Sequence, residues 1–284
     1  LAQGRERLRD EFVARSDPPR LLRGLARLTD DVVTNAWTEA AIPSAAALVA
    51  VGGYGRGQLF PHSDVDILIL LPEVADDPCA NGIERLLTSL WDIGIELSHA
   101  TRTVEECAVE MTADATVRTS LLEHRHLAGS RRLYGEFQRM FDDALDVRTF
   151  YDAKSLEQQQ RHLKYHDAAY NLEPNVKESP GGLRDLQTVI WIARASQLGR
   201  SWREPARNGL MTTAEARAIA RQERTIADLR IRLPYPAGRP QGRLDLGLQP
   251  APATGPACAQ TPGQRAGGQR ARDNDRARDS GAQG

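Results

Sequence analysis

Residues 49–71 read VAVGGYGRGQLFPHSDVDILILL. An apolar run leads into a glycine-rich turn, and a second apolar run carries two aspartates at its start. No other stretch limits the fold as tightly. A near-continuous run of branched apolar residues, bounded by turn residues, marks a strand covered on both faces. Residues 47–51 and 65–71 are therefore expected to be central strands of one sheet, joined by a turn that only a glycine-rich sequence makes.

The same stretch holds unusual chemistry. Along a strand, residues i and i+2 point to one face, so Asp64 and Asp66 present two carboxylates side by side. Two such charges repel unless a divalent cation lies between them. Glycines allow positive φ and the close approach of backbone to a phosphate chain, because no Cβ stands in the way. Glycine turn, spacer and Asp-x-Asp together describe a site for nucleotidyl transfer with Mg²⁺, or Mn²⁺ in its place. Each feature alone is common. An Asp-x-Asp also ends many exposed strands, but Asp66 sits among Val65, Ile67 and Leu68, which is no solvated surface.

Around this core the pattern is helical. Residues 1–42 repeat Leu8, Phe12, Leu21, Leu22, Leu25, Leu28, Val32 and Val33 at helical spacing, with a break at Asp17-Pro18-Pro19. Residues 81–92 predict a helix, 93–101 a third strand and 103–128 helix again. Helical text resumes at 151. Leu183, Leu186, Val189, Ile190 and Ala193 mark an amphipathic helix. Thr212 and Glu215 have capping-box spacing ahead of a helix striped by Ile219, Ile226, Leu229 and Leu233. From 234 the chain turns to Pro, Gly, Ala and Arg, with no Val, Ile, Phe, Trp or Met. Such text cannot offset backbone entropy by burial, so disorder is expected there. The abrupt change also resembles a reading-frame break, a hypothesis that sequencing the coding DNA across codon 233 tests.

Composition narrows the partners. Lys plus Arg number 37 against 38 Asp plus Glu, a net charge of −1, which speaks against a broad nucleic-acid footprint. No apolar run reaches the roughly 20 residues that span a bilayer. Cys79, Cys107 and Cys258 are scattered, suggesting neither a disulfide framework nor a metal cluster, and a reducing cytoplasm is expected. The chain begins with Leu rather than Met, which leaves its true start open.

The motif resembles the active-site signature of the polymerase-β-like nucleotidyltransferase superfamily: a Gly-Gly followed at this interval by SDVDILIL. The fuller VGGYGRGQLFPHSDVDILIL, together with NLEPNVKESPGGLRDLQTVIWIAR at 171–194, is similar to the bifunctional family that uridylylates, and removes uridylyl groups from, the PII nitrogen-regulatory protein. The resemblance covers residues 1–233. It implies an α+β fold: an N-terminal helical segment (1–42), a nucleotidyltransferase domain with a small mixed sheet and helices (43–145), a supporting helical domain (146–233), then the tail (234–284). It implies transfer of UMP from UTP to a tyrosine of PII. Asp64 and Asp66 would hold the metal, Gly52 and Gly53 would admit the phosphates, and Ser63 would hold a phosphate or cap the turn. Arg56 would balance triphosphate charge, or else pair with a local carboxylate. The superfamily's third carboxylate falls on Glu96.

The second segment places Lys177, Gly181, Gly182 and Arg184 at a loop entering a helix. A helix N-terminus favours anions, so Lys177 and Arg184 are candidates to reach the nucleotide, oriented by Glu173 and Asp185. Equally, the loop docks the helices onto the sheet. His166-Asp167 lacks companion histidines at metal spacing and reads as an ordinary helical pair. The uridylyl-removing and glutamine-sensing domains of the family are expected to be absent. An adenylyltransferase acting on glutamine synthetase shares the glycine turn and acid pair. GYGRG and KESPGGLRD favour the PII-modifying family instead. A fragment that only binds PII is the non-enzymatic alternative.

Overall fold

The computed structural model describes residues 1–73, 77–165 and 175–233. His166-Asp167, Glu173, Cys258 and the expected tail lie outside these residues. A four-stranded mixed sheet is ordered β3-β2-β1-β4. β1 (Ala47–Ala50) runs antiparallel to β2 (Val65–Leu71) and to β4 (Arg125–Gly129). β3 (Leu97–Thr103) pairs parallel to β2, with Asp66 opposite Ser98.

Helices cover both faces, which is why β1 and β2 are almost wholly apolar. Leu48, Ala50, Val65, Ile67 and Ile69 face one core, built with α1 (Ala2–Arg15), α2 (Pro18–Glu39) and α4 (Asp77–Asp92). Ala47, Val49, Leu68 and Leu70 face the other. There they meet α5 (Val104–Ala113), α6 (Ala115–Leu122), α7 (Arg131–Ala144), α8 (Val147–Lys164) and α9 (Leu183–Ala195). The glycine turn itself is a single helical turn, α3 (Gly52–Gly55). A short α10 (Arg203–Arg207) precedes α11 (Thr213–Arg232).

Local signals account for several boundaries. Asp17 caps α2 by accepting from the Arg20 N–H at 3.2 Å, and prolines occupy its first turn. Thr212 and Glu215 form the expected capping box of α11. Three expectations need correction. Residues 103–128 are not one helix: α5 and α6 break at Asp114, which caps α6, and the chain then adds edge strand β4. RHLAG is only half-buried, so it lacks the alternation that would have marked it. On α9 the buried positions are Leu183, Thr188, Trp191, Ala193 and Ala195, while Val189 is exposed. On α11 the expected Leu233, at its end, is buried, but within the helix the buried positions are Ala216, Ala227 and Ile231, while Ile219, Ile226 and Leu229 are half-buried.

The last helix returns to the first layer. Ala227, Ile231 and Leu183 join the core formed by α1, α2 and the sheet. Arg232 bonds the Ser16 hydroxyl and lies 5.2 Å over the Phe12 ring. The N-terminal helices, the sheet and the helices after 146 thus share one packed body.

Candidate active site

A cleft of about 490 Å³ opens where β1 and β2 emerge from between the helical layers. Gly52, Gly53, Arg56, Ser63, Asp64 and Asp66 line it from the sheet side, and Lys177 and Arg184 from the helical side. Two motifs more than a hundred residues apart in sequence meet across one opening.

Backbone bonding fixes the floor. The Val51 N–H donates to the Asp66 carbonyl at 3.0 Å, and the Gly55 N–H to the Val51 carbonyl at 2.9 Å, so the turn is tied to the acid strand. Gly52 has φ +58°, a conformation that suits glycine. A Cβ there would come within 3.0 Å of Asp66 Oδ2, and its absence leaves open the space beside that carboxylate. Gly53 differs, since a Cβ there would meet only ordinary contacts. Gly55 is the tightest of the turn: its Cβ would lie 1.7 Å from the Glu123 carbonyl oxygen. The Ser63 N–H closes the preceding turn onto the Phe60 carbonyl at 3.1 Å, and its side chain faces the cleft.

Asp66 is part-buried, and Asp64 beside it is exposed. Burial first, and the charge of Asp64 second, push Asp66 up to about 6; a Ser98 hydrogen bond and Lys177 work the other way. A divalent cation between the two carboxylates would remove this strain, and Gly52 keeps the adjoining space clear. The pair therefore fits a hard cation held by two protein carboxylates plus ligand oxygens. Among the described residues no third Asp, Glu, His or Cys completes a metal-holding group. Glu96 lies one residue before the β2–β3 ladder, is exposed and does not line the cleft. The β3 residue beside Asp66 is Ser98.

The cations have partners. Arg56 forms an ion pair with Glu123, whose side chain is 2% exposed, and donates to Gln58 Oε1 at 3.0 Å. Arg56 thus has a local carboxylate and still faces the cleft. Glu123→Gln is expected to cost ~2–3 kcal/mol in urea melts, since it leaves a half-buried guanidinium without its counter-charge; a change within ~0.5 kcal/mol would show that the pair adds nothing. Lys177 and Arg184 share Glu178 at 3.4 and 3.3 Å. Burial, then Arg184 and Arg230, hold Lys177 below its usual value. Arg184 also lies 5.2 Å over the Trp191 ring, with buried Lys154 5.1 Å from the same ring.

The helix terminus itself plays a different part from the one expected. The N–H groups of Leu183, Arg184 and Asp185 are taken by the carbonyls of Val176, Lys177 and Gly182, so they are not free to receive an anion. Asp185 does not orient Lys177 or Arg184. It accepts from the Gly181 N–H at 2.7 Å and from Gln158, Arg161 and His162 of α8. Gly182 is required for packing, as a Cβ would stand within 2.9 Å of three loop carbonyls.

Sequence reasoning missed Ser120, Glu123, Lys154, Gln187, Trp191 and Arg230, all of which line the cleft. Gln187 and Trp191 lie within the 171–194 segment already quoted, which was the signal for them; nothing local marked the others.

The comparisons with known proteins agree with this geometry. A family model described as a nucleotidyltransferase domain matches residues 38–125, and one described as GlnD PII-uridylyltransferase matches 149–279. The second match extends past Leu233 into the segment read as tail. A bifunctional uridylyltransferase/uridylyl-removing enzyme of Burkholderia thailandensis is 50% identical over 246 residues, 87% of this chain and 29% of that protein. The chain is a homologue of these bifunctional enzymes. Counterparts from Burkholderia orbicola and Burkholderia mallei are 52% and 51% identical over 229 residues, 81% of this chain and 27% of theirs. The chain thus spans under a third of the length of the curated relatives it matches, and its sheet region is a nucleotidyltransferase domain. Among the described residues no helix is long and apolar enough to cross a membrane.

Proposed function

We propose that the cleft transfers UMP from UTP to a tyrosine hydroxyl of a PII signal protein, releasing pyrophosphate. The observation that carries this reading is the meeting of the glycine turn and acid pair with Lys177 and Arg184 on one cleft. The names of the relatives supply the nucleotide and the acceptor protein. The phenolic oxygen bonds to the α-phosphorus and its proton passes to solvent, as the bond from the α-phosphorus to the oxygen shared with the β-phosphate breaks and pyrophosphate leaves. Asp64 and Asp66 would hold Mg²⁺ or Mn²⁺, which would supply charge neutralisation at the phosphates and ease loss of the hydroxyl proton. The protein's share is positioning and charge compensation rather than covalent catalysis. Gly52 gives the phosphates room beside Asp66, and Lys177 and Arg184 steady the polyphosphate from the opposite wall. Neither Cys79 nor Cys107 has a part in this; both are buried, and burial pushes the Cys107 thiol up to about 12.

The test incubates the purified chain with PII, Mg²⁺ and UTP labelled at the α-phosphate. Label on PII that vanishes in Asp64→Ala is the expected result. Equal labelling from ATP would redirect the reading to adenylyl transfer. A folded chain that labels nothing would leave only PII binding.

A further inference from the structure

Five cations line the cleft, and four have a carboxylate. Arg56 pairs with Glu123, Lys154 with Glu157, and Lys177 and Arg184 with Glu178. Arg230 is the fifth. Among the described residues no carboxylate lies within ion-pair distance of it and its side chain makes no hydrogen bond, whereas Arg232, two positions on, bonds Asp228 at 2.7 Å. Arg230 is held in another way. Its guanidinium carbon lies 4.0 Å from the centroid of the Phe60 ring, and Phe60 is itself buried and lines the cleft four residues before Asp64. Burial, then Arg184 and Arg56, lower it to about 10 against the opposing charge of Glu178, which lies beyond ion-pair distance and is already shared by Lys177 and Arg184, so it is still protonated at neutral pH.

A guanidinium lying on an aromatic face is fixed in orientation while its edge N–H groups stay available, the geometry that suits bidentate phosphate binding. An unpaired, partly desolvated cation costs free energy in the empty protein, and an arriving anion relieves that cost. We propose that Arg230 binds the polyphosphate of the nucleotide from the α11 wall, with Phe60 as the platform that sets its angle. The assignment rests on the nucleotidyl-transfer reading and adds to it a residue outside both motifs.

The test measures binding by calorimetry with Mg²⁺, using UTP, UMP and inorganic tripolyphosphate, on the wild-type chain and on Arg230→Gln, Arg230→Lys and Phe60→Leu. Thermal melts and circular dichroism establish that each variant is folded. Arg230→Gln is expected to weaken UTP and tripolyphosphate about 10- to 100-fold, the range of a charge-assisted contact, and to leave UMP within about 3-fold. Arg230→Lys keeps the charge without the fork and falls between. Phe60→Leu keeps the apolar packing and loses about 3- to 10-fold. In turnover, KM for UTP rises more than kcat falls. Folded Arg230→Gln or Arg230→Lys that binds UTP and tripolyphosphate like the wild type overturns the assignment. So does an equal loss for UMP and UTP, which would mark a structural role. A wild-type chain that binds tripolyphosphate but not UTP overturns the uridylyl reading and leaves Arg230 standing. One that binds neither overturns both.

Discussion

Asp66→Asn is expected to abolish nucleotidyl transfer and, in chelator, to make the protein more stable. The loss of activity should be on the order of 10³-fold or more, because several kcal/mol of charge stabilisation depend on a cation that an amide does not hold. The gain in stability follows from the carboxylate's own discomfort. Its folded value is raised from 3.8 to about 6 by burial and by Asp64. A raised carboxylate contributes stability that is fully present below the unfolded value and is lost as pH rises through the folded one. Without a divalent cation, wild-type stability should therefore decline between about pH 4 and pH 7 by ~1–2 kcal/mol from this group, after allowance for solvent screening. Asn has no such charge and nearly the same shape. In chelator at pH 8 the variant should melt a few degrees above the wild type, and at pH 4 the two should coincide. Mg²⁺ should raise the wild-type melting temperature and leave the variant's unchanged. Scanning fluorimetry at the two pH values, with and without Mg²⁺, reads all of this. A variant less stable than the wild type in chelator at pH 8 would refute the account of the acid pair.

Gly55→Ala is expected to be the most damaging small substitution in the glycine turn. Its Cβ would lie 1.7 Å from the Glu123 carbonyl oxygen, 2.9 Å from the Glu123 carbonyl carbon and 2.7 Å from the Ala50 carbonyl oxygen. All three are backbone atoms, and no side-chain rotation relieves the overlap. Either α3 or the end of α6 must move, carrying the Arg56–Glu123 pair with it. A cost of about 4 kcal/mol or more is expected, or failure to fold, with UTP binding lost as well. Gly57→Ala is the matched control. It has nothing within 4 Å of its Cβ but a φ of +76°, so it should cost only ~1–2 kcal/mol. Urea melts of the two variants give the ranking, and Gly55→Ala within ~1 kcal/mol of the wild type would mean that the close approach is not real.

What the chain reveals before folding follows from how each contact is made. β2 was legible residue for residue because burial on both faces leaves only apolar side chains after Asp66. β4 was not, since an edge strand with intermediate exposure needs no pattern. The acid pair, Gly52, Gly53, Lys177 and Arg184 were legible because each belongs to a compact text with its own chemistry. Glu123 and Arg230 were not. One ends a short helix, the other sits in a helix whose neighbouring arginines look alike, and only tertiary packing makes one of them face the cleft. Glu96, which the family resemblance offers as a third carboxylate, lies one residue before the β2–β3 ladder, and the parallel register sets Ser98 beside Asp66.

The return of α11 to the N-terminal helices has a consequence for synthesis. The acid strand and its glycine turn leave the ribosome long before α11 is made. A nascent chain therefore exposes two carboxylates with neither Lys177 nor Arg230 opposite them. Contacts between distant parts of a chain close slowly, because their loop entropy is met before any contact rewards it. The same contact that seals the first core through Ala227 and Ile231 brings Arg230 over Phe60. The packing of α11 onto the first layer would thus also set in place the arginine proposed as a polyphosphate contact, and a chain made only as far as the acid strand would hold the acids of the cleft without it.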